Sequence, residues 1–215
     1  MKKLIKLTVF EFLVQNRVNN LIKYLLAFFL FCTISTILIS NQAEIKRFGI
    51  VFSIIYLPLS LIGFSSLVFK EDLGDGGLEL LLSTFNPLEI VIAKFLSILI
   101  SGLLSSTIYL PIIYVIFDLS LVTFINLTIT FLLLLFLAST LLVLTAVIQS
   151  YFRSNTNFLS ILIMPMLMPS IIIAGLILQN DTDTYLATIM LGINLILVPC
   201  SLGFSAYLVK NIYNI

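Results

Sequence analysis

Acidic side chains and glycines are concentrated in one polar stretch of this apolar chain, residues 70–89, KEDLGDGGLELLLSTFNPLE. Carboxylates beside glycines are typical of calcium-binding and phosphate-binding loops. The spacing of Asp72 and Asp75 does not match the D-x-[DN]-x-[DN]-G pattern of a calcium loop, and no GxxxxGK[ST] sequence occurs. The stretch therefore predicts contact with a partner in water. The alternative is a solvated loop whose acidic residues serve only solubility.

The sequence contains few residues or motifs that are typical of catalytic sites. The 215 residues contain no histidine, which removes the usual general base and the commonest metal ligand. No GxSxG or HExxH motif and no pair of carboxylates within an apolar block occurs. We therefore predict no catalytic, metal-binding or cofactor-binding residue. The net charge of +1 gives no electrostatic footprint for binding nucleic acid.

The polar stretch divides into an acidic helix end, a glycine turn and a short helix. The segment Leu78–Phe85 predicts a helix of two turns, which needs a partner surface or the membrane interface because it is too short to be stable in water. Asn86, Pro87 and Glu89 then predict an N-cap, a first helical residue and a capping box. A short helix held between two rigid helices can transmit a push.

The elements that position this stretch are apolar and long. The composition is 60% hydrophobic and only 10% charged, and six apolar blocks have about the 20 residues that a membrane-spanning helix needs. Their approximate bounds are 21–39, 48–69, 90–117, 121–148, 158–178 and 185–209. Charged residues fall between blocks or near their ends, where Lys23 and Lys94 are expected to extend their stems to the interface. We predict an all-α polytopic membrane protein with six transmembrane helices in residues 21–215.

Residues 1–20 predict a separate amphipathic helix at the membrane interface. Apolar residues recur at helical spacing and basic residues supply charge for an anionic leaflet. The apolar positions are Leu4, Leu7, Phe10 with Val14, and Val18, and the basic ones are Lys2, Lys3, Lys6 and Arg17. A frayed basic tail is the alternative.

The distribution of lysine and arginine sets the expected orientation. With the N-terminus inside, nine of the 11 basic residues lie on the cytoplasmic side, and only Lys46 and Arg47 lie outside. The excess of basic residues in cytoplasmic loops predicts both termini in the cytoplasm.

The fifth block is interrupted by two prolines, which bend a helix and free carbonyl groups. Its residues Met164, Pro165, Met168 and Pro169 suggest a flexible wall of a translocation path or a partner groove. Met164 and Met168 share a face and could in principle ligate haem iron. The alternative is adaptable packing around two kinks.

The polar stretch resembles a known family. FKEDLGDGGLELLL followed by NPLEIVIAK is similar to the segment after the second helix of the CcmB family, the membrane subunits of the ABC-type haem exporter or cytochrome c maturation complex. Phe69 through Leu82, Pro87 and Lys94 fit that pattern, as do Glu11 and the Pro165, Pro169 and Gly175 spacing. One departure is Thr84-Phe85-Asn86-Pro87, which lacks the first proline of the family's Ser-Pro-x-Pro turn.

The resemblance implies an ABC-2-type permease subunit in the inner membrane of a bacterium or organelle. It implies a separate CcmA-like ATPase that uses ATP and magnesium, CcmC-like and CcmD-like membrane partners, and a CcmE-like haem chaperone. Residues expected to couple the ATPase are Glu71, Asp72, Gly76, Gly77, Leu78, Glu79, Leu81, Leu82 and Pro87. The polar contacts are assigned to Glu71, Asp72 and Glu79, and the buried ones to Leu80–Leu82.

Other functions remain open from the residues alone. The chain could be an ABC-2 permease for another hydrophobic substrate, or a scaffold that holds partner subunits without transport. An ion-coupled secondary transporter usually has an ionisable group in the middle of a span, and the six blocks contain none there. Co-purification of an ATPase, and its turnover with and without this chain, would separate these functions.

Overall fold

The fold is a bundle of helices around one central helix. A computed structural model describes residues 2–39, 45–69, 72, 76–152, 163–179 and 184–212. Among these residues the structure contains helices and no strand, which confirms the predicted all-α class. In chain order they are α1 (Lys2–Arg17), α2 (Leu21–Ile39), α3 (Ile45–Ile62), a 3₁₀ turn (Ser65–Leu67), α4 (Gly77–Thr84), α5 (Pro87–Ile116), α6 (Leu121–Tyr151), α7 (Ile163–Gln179) and α8 (Thr184–Asn211).

Helix α6 lies at the centre because it is apolar on every side. It packs against α3, α5, α7 and α8, and its buried residues run almost without interruption from Leu134 to Val147. A helix that is hydrophobic all round is stable only where neighbours cover all of it. Buried serines and threonines of α6, such as Ser139 and Thr140, donate hydrogen bonds to carbonyl groups of the preceding turn. Their hydroxyl groups therefore have partners within the helix itself.

Four described helices are long and apolar enough to cross a membrane: α2, α5, α6 and α8. At about 1.5 Å per residue, α5 and α6 are about 45 Å long and exceed the roughly 30 Å of hydrocarbon. The apolar parts of α3 and α7 are shorter, Gly49–Leu61 and Pro165–Leu178. The chain is therefore a multi-pass membrane protein, while six spans stay a prediction.

The second apolar block differs from the prediction. Helix α3 ends at Ile62, and residues 63–69 form turns where a helix was expected to 69. At the bend, the absence of a side chain on Gly63 lets Tyr24 approach closely, since a Cβ built there would lie 2.6 Å from the Tyr24 hydroxyl. The turns bring Val68 and Phe69 back into the interior, where both are buried. The hydrophobicity of residues 63–69 correctly predicted burial of Val68 and Phe69, but it could not show that the chain folds back there.

The three residues 118–120, left between the third and fourth predicted blocks, form a tight turn between α5 and α6. Asp118 has a positive φ of 45°, and Ser120 caps α6 by accepting a hydrogen bond from the backbone N–H of Thr123. The two longest helices are thereby antiparallel neighbours.

Close packing of α5 on α6 depends on Gly102. A Cβ at this position would lie 2.6 Å from Cδ1 of Leu135. We expect Gly102→Val to lower stability by about 1–3 kcal/mol, because added methyl groups overpack the contact. The thermal midpoint of the detergent-solubilised protein, followed by size-exclusion chromatography, measures the loss. Gly203→Val is the matched control, since nothing lies within 4 Å of a Cβ there; equal midpoints for the two variants would contradict this packing role.

Candidate functional site

The short helix in the polar stretch is present and its restart is capped as predicted. Helix α4 runs from Gly77 to Thr84, one residue earlier than expected at each end. Gly76 precedes it in the left-handed region, with φ of +69°, which glycine adopts at little cost. At the start of α5, the N–H of Asn86 donates to Oε2 of Glu89 at 3.1 Å, and Pro87 is the first helical residue. These bonds confirm the predicted capping box.

One face of α4 packs against the protein. Leu78 is fully buried in the main core. Leu81 and Leu82 are half-buried and pack on a small cluster formed by Leu7 of α1 and by Ile90 and Ala93 of α5. The buried residues of a partner contact were expected among Leu80, Leu81 and Leu82. In this structure Leu81 and Leu82 already pack α4 onto its own chain.

The opposite face of α4 is open. Leu80 is 71% exposed, and Glu79, Ser83 and Thr84 beside it are exposed as well. Leu88, at the start of α5, adds another exposed apolar side chain. We call Glu79, Leu80, Ser83, Thr84 and Leu88 the α4 outer face. It combines two exposed leucine side chains with hydroxyl and carboxylate groups.

A buried charge cluster lies beneath α4. The Nζ atom of Lys94, in α5, lies 2.9 Å from Oε2 of Glu11 in α1 and also forms an ion pair with Asp72. It donates to the carbonyl oxygen of Val68 at 3.1 Å and lies 4.7 Å from the centre of the Phe69 ring. We call these five residues the Lys94 cluster. Lys94 itself is only 1% exposed.

This arrangement corrects the sequence interpretation of Lys94. The lysine was expected to extend toward water from near the end of its helix, and instead it points into the protein. A buried ammonium needs opposite charges and acceptors in place of water, and two carboxylates, one carbonyl and one aromatic ring supply them. Lys23, by contrast, is exposed as expected.

Helix α1 turns a different face to the protein than its apolar pattern suggested. Its buried residues are Leu7, Thr8, Glu11 and Gln15, which pack on α5. Asn16 adds a second polar link, since its side chain donates to the hydroxyl of Ser101 at 2.9 Å. The polar face lies inward because Glu11 finds its partner in Lys94.

The outward face of α1 still suits a membrane interface. Of the expected apolar residues, Leu7 is buried, whereas Phe10 and Val18 are exposed together with three residues that the pattern did not select. Those three are Ile5, Val9 and Leu13, which form a stripe at i, i+4 and i+8. The exposed basic residues Lys3, Lys6 and Arg17 lie beside it.

The comparison with known families agrees with this architecture. The sequence model described as CcmB protein matches residues 2–206, a region that contains the whole α4 outer face and the whole Lys94 cluster. The chain belongs to the CcmB family. An uncharacterized protein of Rickettsia conorii (strain ATCC VR-613 / Malish 7) is 52% identical over 205 residues, 95% of each chain. An uncharacterized protein of Rickettsia prowazekii (strain Madrid E) is 49% identical over the same share of both chains.

Membership of the CcmB family sets the broad function. CcmB proteins are membrane permease subunits, and the family points to an ABC complex with further subunits in haem export or cytochrome c maturation. The residues described here contain no group of three histidine, cysteine, aspartate or glutamate side chains placed to hold a metal ion.

The other predicted site residues fall at separate places. Gly76 and Gly77 form the turn into α4, Asp72 contacts Lys94 and is largely covered, and Glu71 lies outside the described residues. In α7, Pro165, Met168 and Pro169 are exposed on the outside of the bundle, whereas the side chain of Met164 lies outside the described part. The structure thus brings the α4 residues together and places Pro165, Met168 and Pro169 on the exposed side of a different helix, α7.

Sequence reasoning missed the joining of Glu11 to Lys94. The signal was present: Glu11 is an acidic residue within a basic helix, and Lys94 is the single charge in an apolar block. An acidic residue in one segment and a basic residue in another, each at a position where a lone charge is unfavourable, indicate that the two side chains form an ion pair.

Proposed function

We propose that this chain is the permease subunit of an ABC-type complex for cytochrome c biogenesis, and that a separate ATPase drives it through α4. The observation that carries the proposal is a short helix seated on α5 by Leu78, Leu81 and Leu82 while Leu80 stays 71% exposed. A helix that packs on the protein on one side and is open on the other can receive a partner and pass its motion to α5.

The source of energy follows from what the sequence contains. The 215 residues include no GxxxxGK[ST] phosphate-binding loop, so ATP with magnesium would be hydrolysed by a CcmA-like partner. The further partners are CcmC-like and CcmD-like membrane proteins and a CcmE-like chaperone, whose release with haem would be the driven step. No haem or nucleotide site is assigned to this chain.

The membrane arrangement is part of the same proposal. Six spans, with both termini in the cytoplasm of a bacterium or organelle, place α1, α4 and the Lys94 cluster on the ATPase side of an inner membrane. The exposed stripe Ile5, Val9 and Leu13 and its basic neighbours would rest on the anionic leaflet.

Purification of the complex tests the proposal. The chain is co-expressed with the ATPase, the CcmC-like and CcmD-like proteins and the haem chaperone, and is then purified through a C-terminal tag. We expect the ATPase to co-purify, and its turnover to rise with haem-loaded chaperone only when this chain is present. An ATPase that does not co-purify would contradict the proposal. Equal turnover with and without the chain would instead indicate a scaffold.

A further inference from the structure

Three segments distant in sequence meet at one side chain. Lys94 lies seven residues after the first residue of α5 and bonds to Glu11 of α1, 83 residues before it, and to Val68, 26 residues before it. Asp72 completes the contact from the segment between α3 and α4. The Lys94 cluster is therefore the place where α1, α5 and the approach to α4 are fixed to one another.

Asp72 also lies close to the first residue of α4. A Cβ built on Gly77, the first residue of α4, would lie 3.5 Å from Cα of Asp72 and 3.8 Å from its Oδ1. A side chain at position 77 would therefore be in ordinary contact with Asp72. The carboxylate that binds Lys94 thus belongs to a residue that lies beside the start of α4.

Helix α4 has few other restraints at this end. It has eight residues, fewer than a helix needs to be stable in water, and the residue before it is Gly76 in the left-handed region. Leu78 holds its first turn by apolar contact, which is not directional. A charge-assisted bond is directional and short, so it can set the angle that apolar contact leaves open.

Helix α1 is held differently. Besides Glu11, its Asn16 donates to Ser101 of α5 at 2.9 Å. When the bond from Lys94 to Glu11 is lost, the Asn16–Ser101 link between α1 and α5 remains, whereas loss of the Asp72 bond removes the ion pair next to the start of α4.

We propose that Lys94 is the positioning residue of the coupling helix. It orients α4 through Asp72 and orients α1 through Glu11, so that a displacement of α4 is shared with α1 and α5. Its importance for ATP coupling rests on the proposed function, whereas its control of helix positions does not.

Distance measurements on the purified chain test this inference. Cys32 and Cys200 are replaced by alanine, and spin labels are attached through Ser83→Cys on α4 and Thr107→Cys on α5 for one pair. Leu13→Cys on α1 and Thr107→Cys form the second pair; all three positions are exposed. Pulsed electron paramagnetic resonance then gives each distance distribution in lipid nanodiscs.

Each variant has its own expected pattern. Asp72→Asn should lose the single narrow peak of the α4–α5 pair and keep that of the α1–α5 pair. Glu11→Gln should broaden the α1–α5 distribution alone, and Lys94→Met should broaden both. Lys94→Arg, which keeps the charge, should restore narrow peaks at shifted distances. Lys23→Met, at an exposed lysine of α2, should match the parent.

Several outcomes would overturn the inference. Narrow peaks in Asp72→Asn, or broadening of both pairs by Asp72→Asn as by a general loss of structure, would each refute it. If Lys94→Met does not fold, the two isosteric variants decide alone. These readings need no ATPase, so they stand whether or not the chain couples one; in the complete complex, Asp72→Asn should also reduce chaperone-stimulated turnover while the ATPase stays bound.

Discussion

Replacing Leu80 by aspartate is expected to release the ATPase from the complex while the chain stays folded. Leu80 is the most exposed apolar side chain of α4, with 71% of its surface accessible. An apolar side chain that anchors the centre of a small interface contributes about 2 kcal/mol or more to the binding free energy. We expect affinity for the ATPase to fall about 30-fold or more. Binding of the purified ATPase to the chain in nanodiscs measures the change.

Two further variants make this result specific. Leu121→Asp places the same charge on a leucine of similar exposure, 65%, but at the start of α6, the opposite end of α5, and should leave binding unchanged. Leu81→Asp and Leu82→Asp should weaken binding and also lower thermal stability, because these residues seat α4 on Ile90 and Ala93. Normal affinity in Leu80→Asp, with the thermal midpoint of the parent, would refute docking on the α4 outer face.

Replacing Lys94 by methionine is expected to destabilise the chain more than any surface substitution. The change leaves the carboxylates of Glu11 and Asp72 in a buried site without their shared ammonium partner. Removal of one partner from a buried ion pair costs about 3–5 kcal/mol. For a chain of this size, the thermal midpoint should fall by roughly 6–20 °C.

A triple variant without the three charges is expected to recover stability relative to Lys94→Met. Combining Lys94→Met with Glu11→Gln and Asp72→Asn removes all three charges, so no carboxylate is left buried without its ammonium partner. The triple variant should be more stable than Lys94→Met alone, a non-additive result expected only of residues in contact. Lys23→Met serves as the control at an exposed lysine. A midpoint of Lys94→Met equal to that of Lys23→Met would show that the cluster does not form.

Much of the fold could be predicted from the sequence because its determinants are local. Apolar blocks placed α2, α5, α6 and α8 within a few residues, and Asn86, Pro87 and Glu89 placed the start of α5. The bend after Ile62 could not be predicted, since residues 63–69 continue the apolar block that precedes them. Periodicity shows that a segment is buried, and not the direction in which it runs.

The candidate site was predicted in outline and not in orientation. The pattern of 70–89 gave a short helix with glycines before it, but the choice between Leu80 and its neighbours Leu81 and Leu82 depends on how α4 lies on α5. Apolar spacing was used to predict which face of α1 is buried. The buried face differs because Glu11 points inward and pairs with Lys94, 83 residues away in the sequence. Such pairs are set by tertiary contact, which no local pattern contains.

Photo-cross-linking from position 80 tests the central claim most directly. A benzoylphenylalanine introduced in place of Leu80 is irradiated in membranes that contain the co-expressed subunits, and the products are identified by mass spectrometry. We predict a covalent adduct with the Walker-motif ATPase, and none with it from the same probe in place of Leu121. Adducts at position 80 with lipid or other proteins but never with the ATPase would contradict the claim that α4 is the coupling helix.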